Sequence, residues 1–246
     1  MQLKLIIEYE GTAYQGWQLQ PGGPTVQAVL EQALTTALRE VVRVRGAGRT
    51  DAGVHACGQV AAVRVSRMPA DLGRLRKSLN ALTPDDVAVR EVSVADDAFD
   101  PRRQARSRLY EYRILTAPAP SPFWRRYAWH VPQPPLDAAT MDQAAATLVG
   151  EHDFAAFCAA DTEPVRSTVR RVLESRVRVE ASLLVYRVEA NAFLKHMVRN
   201  LVGTLVEVGR GERLVGALGE LLAGRDRTRA GATAPAHGLT LIAVRY

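Results

Sequence analysis

The chain has 246 residues, enough for one large domain or two of about 120 residues. A chain of this length can bury a hydrophobic core that is stable without disulfide bonds. Its two cysteines, Cys57 and Cys158, form neither a CxxC pair nor a disulfide framework, so we expect a reducing, cytoplasmic compartment. There is no basic leader before an apolar run, and no stretch reaches the roughly 18 apolar residues that a membrane span needs, so we expect neither a signal peptide nor a span.

The net charge is +6 and the sequence pI is about 9.7. A basic composition alone requires no particular partner, but the arginines are also clustered, with Arg102, Arg103, Arg106 and Arg108 inside seven residues. Arginine binds phosphate in a bidentate manner and stacks on bases. The clustering therefore predicts a nucleic acid as partner.

The first hundred residues show strand and helix patterns in the order β-α-β-loop-β-α-β. Gln2–Tyr9 alternates apolar and polar residues, and Thr25 is placed to cap a helix whose apolar stripe runs from Val26 to Leu38. Further strands are predicted at 41–46, 59–65 and 87–94, and a further helix at 71–82.

The rest of the chain repeats this alternation after a strand at 108–115 and a proline-rich connection. Helices are predicted at 137–149, 192–208 and 212–223, a strand pair at 168–180 and 183–189, and a closing strand at 239–246. The predicted fold class is α/β, with two similar halves of mixed, mainly antiparallel sheet, helices packed on one side and a cleft between the halves. The predicted domains are 1–104, with the loop that contains Asp51, and 105–246.

Several common kinds of site are not indicated by the sequence. His55 and Cys57 form an HxC pair without a matching pair elsewhere, whereas zinc needs about four ligands, or three and a water. The phosphate-loop, Rossmann and GxSxG patterns are absent from the sequence. We therefore expect no metal site and no catalytic role for His55 or Cys57.

The stretch GRTDAGVHA, residues 48–56, contains a candidate catalytic carboxylate, Asp51. Spacing alone favours an ordinary Asx turn, because Asp-Ala-Gly is good turn chemistry. If the backbone is extended, Arg49 and Asp51 project from one face, and the guanidinium keeps the carboxylate ionised and oriented as a nucleophile or base. Gly48 and Gly53 would let a bulky substrate approach the backbone.

Tyr110 and Tyr112 share one face of the predicted strand at 108–115. They form either a core aromatic pair or a platform on which bases stack. The arginines that precede them favour the platform.

The predicted helix at 192–208 has a long apolar face and a row of cations. Lys195 and Arg199 are four residues apart on it, with His196 and Asn200 beside them at the same spacing. Such a row is either a solvated helix face or a contact surface for phosphate or carboxylate groups, and the firmly packed apolar face favours the second.

Five collinear segments resemble the tRNA pseudouridine synthases of the A type. They are YQGWQLQ at 14–20, GRTDAGVHA at 48–56, RLYEYRI at 108–114, NAFLKHMVRNLVG at 191–203 and TAPAHGLTLIAVRY at 233–246. Their order and their spread over nearly the whole chain make the resemblance specific.

The resemblance implies an isomerase that converts uridine to pseudouridine in the tRNA anticodon stem-loop, at tRNA positions 38 to 40. It implies a homodimer that uses no metal and no organic cofactor. By the match of segments, Asp51 is the catalytic group, Arg49 is its ion-pair partner and Arg199 is a second arginine of the site. Tyr110 stacks on the target base and helps to remove the C5 proton.

Two segments depart from the pattern of that family. Its members commonly have two histidines where this chain has Lys195-His196, and often FHARF where it has FDPRR at 99–103. The residues expected to contact RNA are Arg102, which keeps the family arginine, together with Arg106, Arg108, Lys195 and His196.

Two other functions share parts of the pattern. A non-catalytic RNA-binding module has the same basic clusters and aromatic strand, but it does not need an Arg-x-Asp sequence between glycines. A metal-dependent nuclease needs several convergent carboxylates, and the sequence offers mainly Asp51 in a distinctive setting.

Overall fold

The computed structural model describes residues 1–159 and 167–246. In chain order its main elements are β1 (Gln2–Tyr9), α1 (Val26–Leu38), β2 (Val44–Gly46), β3 (His55–Arg64), α2 (Leu72–Leu82), β4 (Val87–Ala95), β5 (Ser107–Leu115), β6 (Trp129–His130), α3 (Ala138–Ala146), β7 (Gly150–Asp153), β8 (Val169–Glu180), β9 (Leu183–Ala190), α4 (Met197–Gly209), α5 (Ala217–Gly224) and β10 (Leu239–Arg245). The α/β class predicted from the sequence is confirmed.

The chain divides into two compact units, Met1–Arg106 with Thr240–Tyr246, and Ser107–Leu239. Strand β10 belongs to the first unit because it pairs in parallel with β3. The domains predicted at 1–104 and 105–246 stay a prediction, and these units differ from them mainly in the placement of this last strand.

In the first unit the strand order is β4–β1–β3–β10, and β2 pairs with β3 as well. All these pairings are antiparallel except β3 with β10. The alternating pattern of β1 buries Leu3, Leu5 and Ile7 completely or nearly so. Helix α1 begins as predicted, because the Thr25 hydroxyl accepts a hydrogen bond from the Ala28 amide at 3.3 Å.

In the second unit the strand order is β5–β9–β8–β7, all antiparallel, and the short β6 runs parallel to β5. Helix α3 packs on β8 and on α4, while α5 contacts β7. The apolar face of α4 is fully buried, with Met197, Leu201 and Leu205 inaccessible to solvent. The buried face of α4 therefore fixes the direction of its polar face.

Three predicted boundaries differ from the structure by four or five residues. The helix predicted from residue 192 begins at Met197, because His196 has a φ of 60°, which ends any helix arriving from the N-terminal side. The strand predicted from residue 59 begins at His55, where β10 and β1 both supply partners. The helix predicted from residue 212 begins at Ala217, after Gly211 at a φ of 75°.

Candidate active site

Asp51 lies in the loop that connects β2 to β3 in the first unit. Its side chain is half-buried, while Arg49 is exposed and Thr50 is buried. The Asp51 carbonyl accepts a hydrogen bond from the Val54 amide at 3.1 Å, and Gly53 has a φ of 79° within this turn. A main-chain turn is therefore present at Asp51-Ala52-Gly53, and it directly follows the segment that contains the exposed Arg49. The Asx turn that spacing alone indicated stays a prediction.

Hydrogen bonds from β1 and β3 hold the part of the loop that leads into Asp51. The side-chain Nε2 of Gln59 donates to the Gly48 carbonyl at 2.9 Å, and the hydroxyls of Tyr9 and Thr50 share a buried hydrogen bond of 2.7 Å. Burial raises the pKa of Tyr9 to about 12, so the hydroxyl stays protonated at neutral pH and the bond persists. The backbone that carries Asp51 is therefore anchored to the sheet.

A second loop, residues 11–17, packs against the Asp51 loop. The Trp17 amide donates to the Thr50 carbonyl at 3.1 Å, and the Gly53 amide donates to the Tyr14 carbonyl at 3.3 Å. Gly16 has a φ of 87°, and a Cβ there would lie 2.4 Å from the Thr50 carbonyl oxygen. Only glycine permits this approach, which explains the YQGW sequence structurally. The sequence did not single out these supporting contacts.

His55 is buried and serves the packing of these loops. Its Nδ1 accepts a hydrogen bond from the Gly11 amide at 2.9 Å and lies 3.5 Å from Glu10 Oε1. Cys57 is exposed on β3. In residues 1–159 and 167–246 no group of three or more His, Cys, Asp or Glu side chains is arranged to hold a metal ion.

In the second unit Tyr110 and Tyr112 have different surroundings. The Tyr110 ring is 8% exposed and meets the Phe193 ring edge-on, with centroids 5.1 Å apart and planes at 84°. Tyr112 is fully buried, its hydroxyl donates to the Pro235 carbonyl at 2.8 Å, and its ring packs on Gly238. Both tyrosines are therefore buried, Tyr112 completely and Tyr110 nearly so.

Arg199 lies in the first turn of α4 and is half-buried. Its Nε donates to the Ala234 carbonyl at 2.8 Å, while the Ala234 amide donates to the Arg199 carbonyl at 3.1 Å. Burial raises the pKa of Tyr112, and the positive charge of Arg199 opposes that rise. These contacts orient the guanidinium from its Nε side.

Asn200 fastens α4 to the segment that follows α5. It is inaccessible to solvent, and its Nδ2 donates to the Phe157 carbonyl at 2.8 Å. Its Oδ1 accepts hydrogen bonds from Thr233 Oγ1 at 2.7 Å and from Arg227 Nη2 at 3.0 Å. The sequence placed Asn200 on a polar stripe, but it is an interior anchor for the helix that bears Arg199.

The predicted helical row of cations is wrong for Lys195 and His196, because both precede α4. Lys195 is exposed, and its carbonyl accepts a hydrogen bond from the Ala159 amide at 3.0 Å. His196 is half-buried in the left-handed conformation, and its carbonyl accepts from the Asn200 amide at 2.9 Å. Their predicted contact with RNA stays a prediction.

The predicted RNA-binding arginines before and within β5 differ in exposure. Arg102 and Arg106 are exposed in the first unit, and the Arg102 amide donates to Asp100 Oδ1 at 2.9 Å. Backbone N–H groups donate hydrogen bonds to the Asp100 carboxylate and hold its pKa below the usual value, and the N–H of Arg103 contributes most. Arg108 in the second unit is 9% exposed, and its Nη1 donates to the Asn191 carbonyl at 2.7 Å.

The predicted site residues therefore fall into two sets. Arg49 and Asp51 are in the first unit, and Tyr110 and Arg199 are in the second.

Among the helices in the described parts of the chain, none combines the length and apolar character needed to cross a membrane.

Comparison with known proteins identifies similar chains. A family model described as tRNA pseudouridine synthase matches residues 5–102 and 144–246. A protein named tRNA pseudouridine synthase A from Myxococcus xanthus is 50% identical over 99% of this chain and 91% of its own length. Proteins of the same name from Geotalea uraniireducens (strain Rf4) and Pelobacter propionicus are 44% and 46% identical, over 100% and 99% of this chain and 99% of their own lengths.

Proposed function

The chain belongs to the tRNA pseudouridine synthase family, and on that premise we propose that Asp51 is the group with which it isomerises uridine in the tRNA anticodon stem-loop. The family predicted from the five segments is confirmed by the family model and by full-length relatives. The enzyme is an isomerase that acts on tRNA.

The reaction breaks the bond between C1′ and N1 of uridine, turns the uracil, and forms a bond between C1′ and C5. The proton lost from C5 is balanced by one gained at N1, so no oxidant or reductant is required. Asp51 acts either as a nucleophile at C1′ or as a base at C2′, and both routes divide one difficult step into two.

The anchoring of the Asp51 loop is the observation that carries this proposal. Gln59 holds Gly48 and Tyr9 and Trp17 hold Thr50 before Asp51. After Asp51, the Tyr14 carbonyl accepts a hydrogen bond from the Gly53 amide. A carboxylate on a backbone fixed in this way is oriented before substrate arrives, which lowers the entropic cost of the reacting geometry.

We assign supporting roles to three residues. Arg49 pairs with the Asp51 carboxylate, Arg199 is the second arginine of the reaction, and Tyr110 stacks on the target base and helps to remove the C5 proton. Extruding that base from the stem-loop costs a few kcal/mol, which stacking of roughly 1–3 kcal/mol per base offsets. The bond from Arg199 Nε to the Ala234 carbonyl supports the role of Arg199, because it orients the guanidinium.

We further propose that the enzyme works in the cytoplasm as a homodimer and modifies tRNA positions 38 to 40. The exposed Arg102 and Arg106 are assigned to phosphates of the anticodon arm, with Arg108, Lys195 and His196 as further contacts. Phosphate contacts make binding sensitive to salt.

The test uses an unmodified tRNA transcript with tritium at C5 of its uridines. We expect Asp51→Asn and Asp51→Ala to lower tritium release by at least about a thousandfold, the order of loss when a central catalytic group is removed. The control is Asp85→Asn, which changes an exposed aspartate of the same unit and should keep the wild-type rate.

Near-normal release by Asp51→Asn would remove Asp51 from the catalytic role while leaving the family activity intact. Absence of pseudouridine with wild-type protein would favour a non-catalytic RNA-binding module. A requirement for metal, seen as inactivation by excess chelator, would contradict the proposed chemistry.

A further inference from the structure

Residues 230–234, the support segment, hold Arg199 and are themselves held against α4. The Ala234 carbonyl accepts the bond from Arg199 Nε at 2.8 Å, and the Ala234 amide donates to the Arg199 carbonyl at 3.1 Å. Ala234 is buried, and the Gly231 amide donates to Thr204 Oγ1 of α4 at 3.0 Å. The direction of the Arg199 guanidinium therefore depends on the place of this segment.

Arg227 joins the support segment to the helix that bears Arg199. Its side chain is half-buried, and its Nη1 donates to the Gly231 carbonyl at 3.1 Å. Its Nη2 donates to Thr233 Oγ1 at 3.1 Å and to Asn200 Oδ1 of α4 at 3.0 Å. These three acceptors are neutral oxygens in different directions. A planar guanidinium suits them, because it presents five N–H donors in a fixed arrangement.

The Thr233 hydroxyl closes a ring of hydrogen bonds with Arg227 and Asn200. It accepts from Arg227 Nη2 and donates to Asn200 Oδ1 at 2.7 Å. Asn200 is inaccessible to solvent, and its Nδ2 donates to the Phe157 carbonyl at 2.8 Å, which fixes the direction of Oδ1. Thr233 directly precedes Ala234, so the ring lies one residue from the carbonyl that orients the guanidinium in α4.

We propose that Arg227 is a positioning residue for the isomerisation and acts through the support segment on Arg199. Its contribution is geometric, since a guanidinium held in the reacting direction before substrate arrives lowers the entropic cost of the reaction. Lysine in its place keeps the charge but has its donors on a single nitrogen, which cannot span the three acceptors. This inference rests on the proposed function, because it takes Arg199 as an arginine of the reaction.

The primary test compares Arg227→Lys with Arg229→Gln, which removes an exposed charge two residues away. The values of kcat and KM are measured with an unmodified tRNA transcript, and tRNA affinity is measured by filter retention at several salt concentrations. For Arg227→Lys we expect kcat to fall about ten- to a hundredfold, with KM and the salt dependence close to wild type. For Arg229→Gln we expect wild-type kcat.

A double-mutant cycle tests whether the effect passes through Arg199. The variants are Arg199→Gln, Arg227→Lys and the two combined. If Arg227 acts only by orienting Arg199, its loss has no further effect once that guanidinium is gone, so the double variant should be no slower than Arg199→Gln alone. A merely structural role lowers kcat by the same factor in both backgrounds.

Thr233→Val is the second variant, and it decides the question if thermal unfolding shows that Arg227→Lys does not fold. Valine keeps the shape of threonine but removes the hydroxyl that bonds Arg227 and Asn200. We expect kcat to fall about fivefold, a loss that corresponds to one hydrogen bond, and the fall to be absent in the Arg199→Gln background.

The outcomes that contradict the inference differ from those that contradict its premise. Unchanged kcat in Arg227→Lys and Thr233→Val, with a slow Arg199→Gln, overturns the positioning role alone. An equal loss in both backgrounds, or weaker tRNA binding with normal kcat, assigns Arg227 to stability or to RNA binding and also overturns it. Normal turnover by Arg199→Gln removes the premise and the inference together. Absence of pseudouridine with wild-type protein contradicts the proposed function itself.

Discussion

One buried hydrogen bond between Tyr9 and Thr50 links the strand β1 to the residue that precedes Asp51. Thr50 also accepts the Trp17 amide through its carbonyl, so its side chain and its backbone are both held. The position of the Asp51 carboxylate therefore depends on residues that are distant in sequence and that take no part in the proposed chemistry.

Replacing Tyr9 by Phe should lower both stability and turnover. The variant leaves the Thr50 hydroxyl buried without its partner, which costs about 1–3 kcal/mol in the free energy of unfolding, and we expect kcat to fall about tenfold as the loop loosens. Denaturant unfolding and single-turnover pseudouridine formation are the measurements.

Tyr186→Phe is the matched control for this prediction. It removes the hydrogen bond of 3.0 Å between Tyr186 and Ser175, which is buried in the second unit. We expect a similar loss of stability with kcat within about twofold of wild type. Equal losses of kcat in the two variants would show that the Tyr9 effect is general destabilisation.

The sequence predicted Asp51 as a candidate because its motif is local, with a carboxylate, an arginine and glycines inside nine residues. It did not predict the support from Tyr9 or Gln59, since both residues read as ordinary members of alternating strands. Their importance comes from the pairing of β1 with β3, which brings Tyr9 opposite Ala56 and close to the loop. No local pattern encodes that pairing.

At the scale of elements, the bounds of α1 were predictable and the start of α4 was not. Thr25 caps α1 with its own side chain, which is a signal within four residues of sequence. Helix α4 begins at Met197 because Phe193 packs against Tyr110 and His196 turns the chain through a positive φ. Both are tertiary effects. The apolar periodicity of the sequence continues through the residues before Met197, so it does not mark the start of the helix.

The junction between α4 and residues 230–234 predicts a strong effect of Gly203→Ala. A Cβ at Gly203 would lie 1.7 Å from the Ala232 carbonyl oxygen, so the segment must move and the bond from Arg199 to Ala234 must change. We expect a loss of about 1–3 kcal/mol in stability and a fall in kcat of about ten- to a hundredfold. Thermal unfolding and single-turnover rates measure the two effects.

Gly219→Ala provides the comparison within the same unit. Gly219 lies in α5 and is exposed, and apart from the backbone of its own helix no described atom lies within 4 Å of the position of a Cβ. Alanine there should stabilise the helix by up to about 1 kcal/mol and leave the rate unchanged. A Gly203→Ala enzyme with normal kcat would show that the contact of Arg199 with Ala234 does not matter for turnover.

At the scale of the whole molecule, the chain leaves the first unit at β5 and returns to it with β10. The sequence predicted the closing strand but assigned it to the second domain, because chain order is the simplest guide to domain membership. In the structure Thr240 pairs in parallel with His55 of the first unit. A parallel partner from the far end of the chain leaves no signal in local periodicity.

Removal of residues 240–246 should therefore weaken the first unit selectively. The deletion removes the buried Leu241, the bond of 2.8 Å from the Arg106 amide to Arg245, and the bond of 2.9 Å from the Tyr246 hydroxyl to Pro101. It also removes the parallel partner of the start of β3, which directly follows the Asp51 loop. We expect amides of β1 and β3 to lose hydrogen-exchange protection while those of β8 and β9 retain it, and pseudouridine formation to be lost.

Tyr246→Phe separates the role of the strand from that of its last side chain. It removes one hydrogen bond and should lower stability by only about 1 kcal/mol with activity retained. Protection that falls equally in β8 and β9 of the truncated chain would mean that the last strand stabilises both units. Full activity in the truncated chain would mean instead that the pairing of β10 with β3 is not needed to hold the Asp51 loop, for which the contacts of Tyr9, Tyr14, Trp17 and Gln59 would then be sufficient.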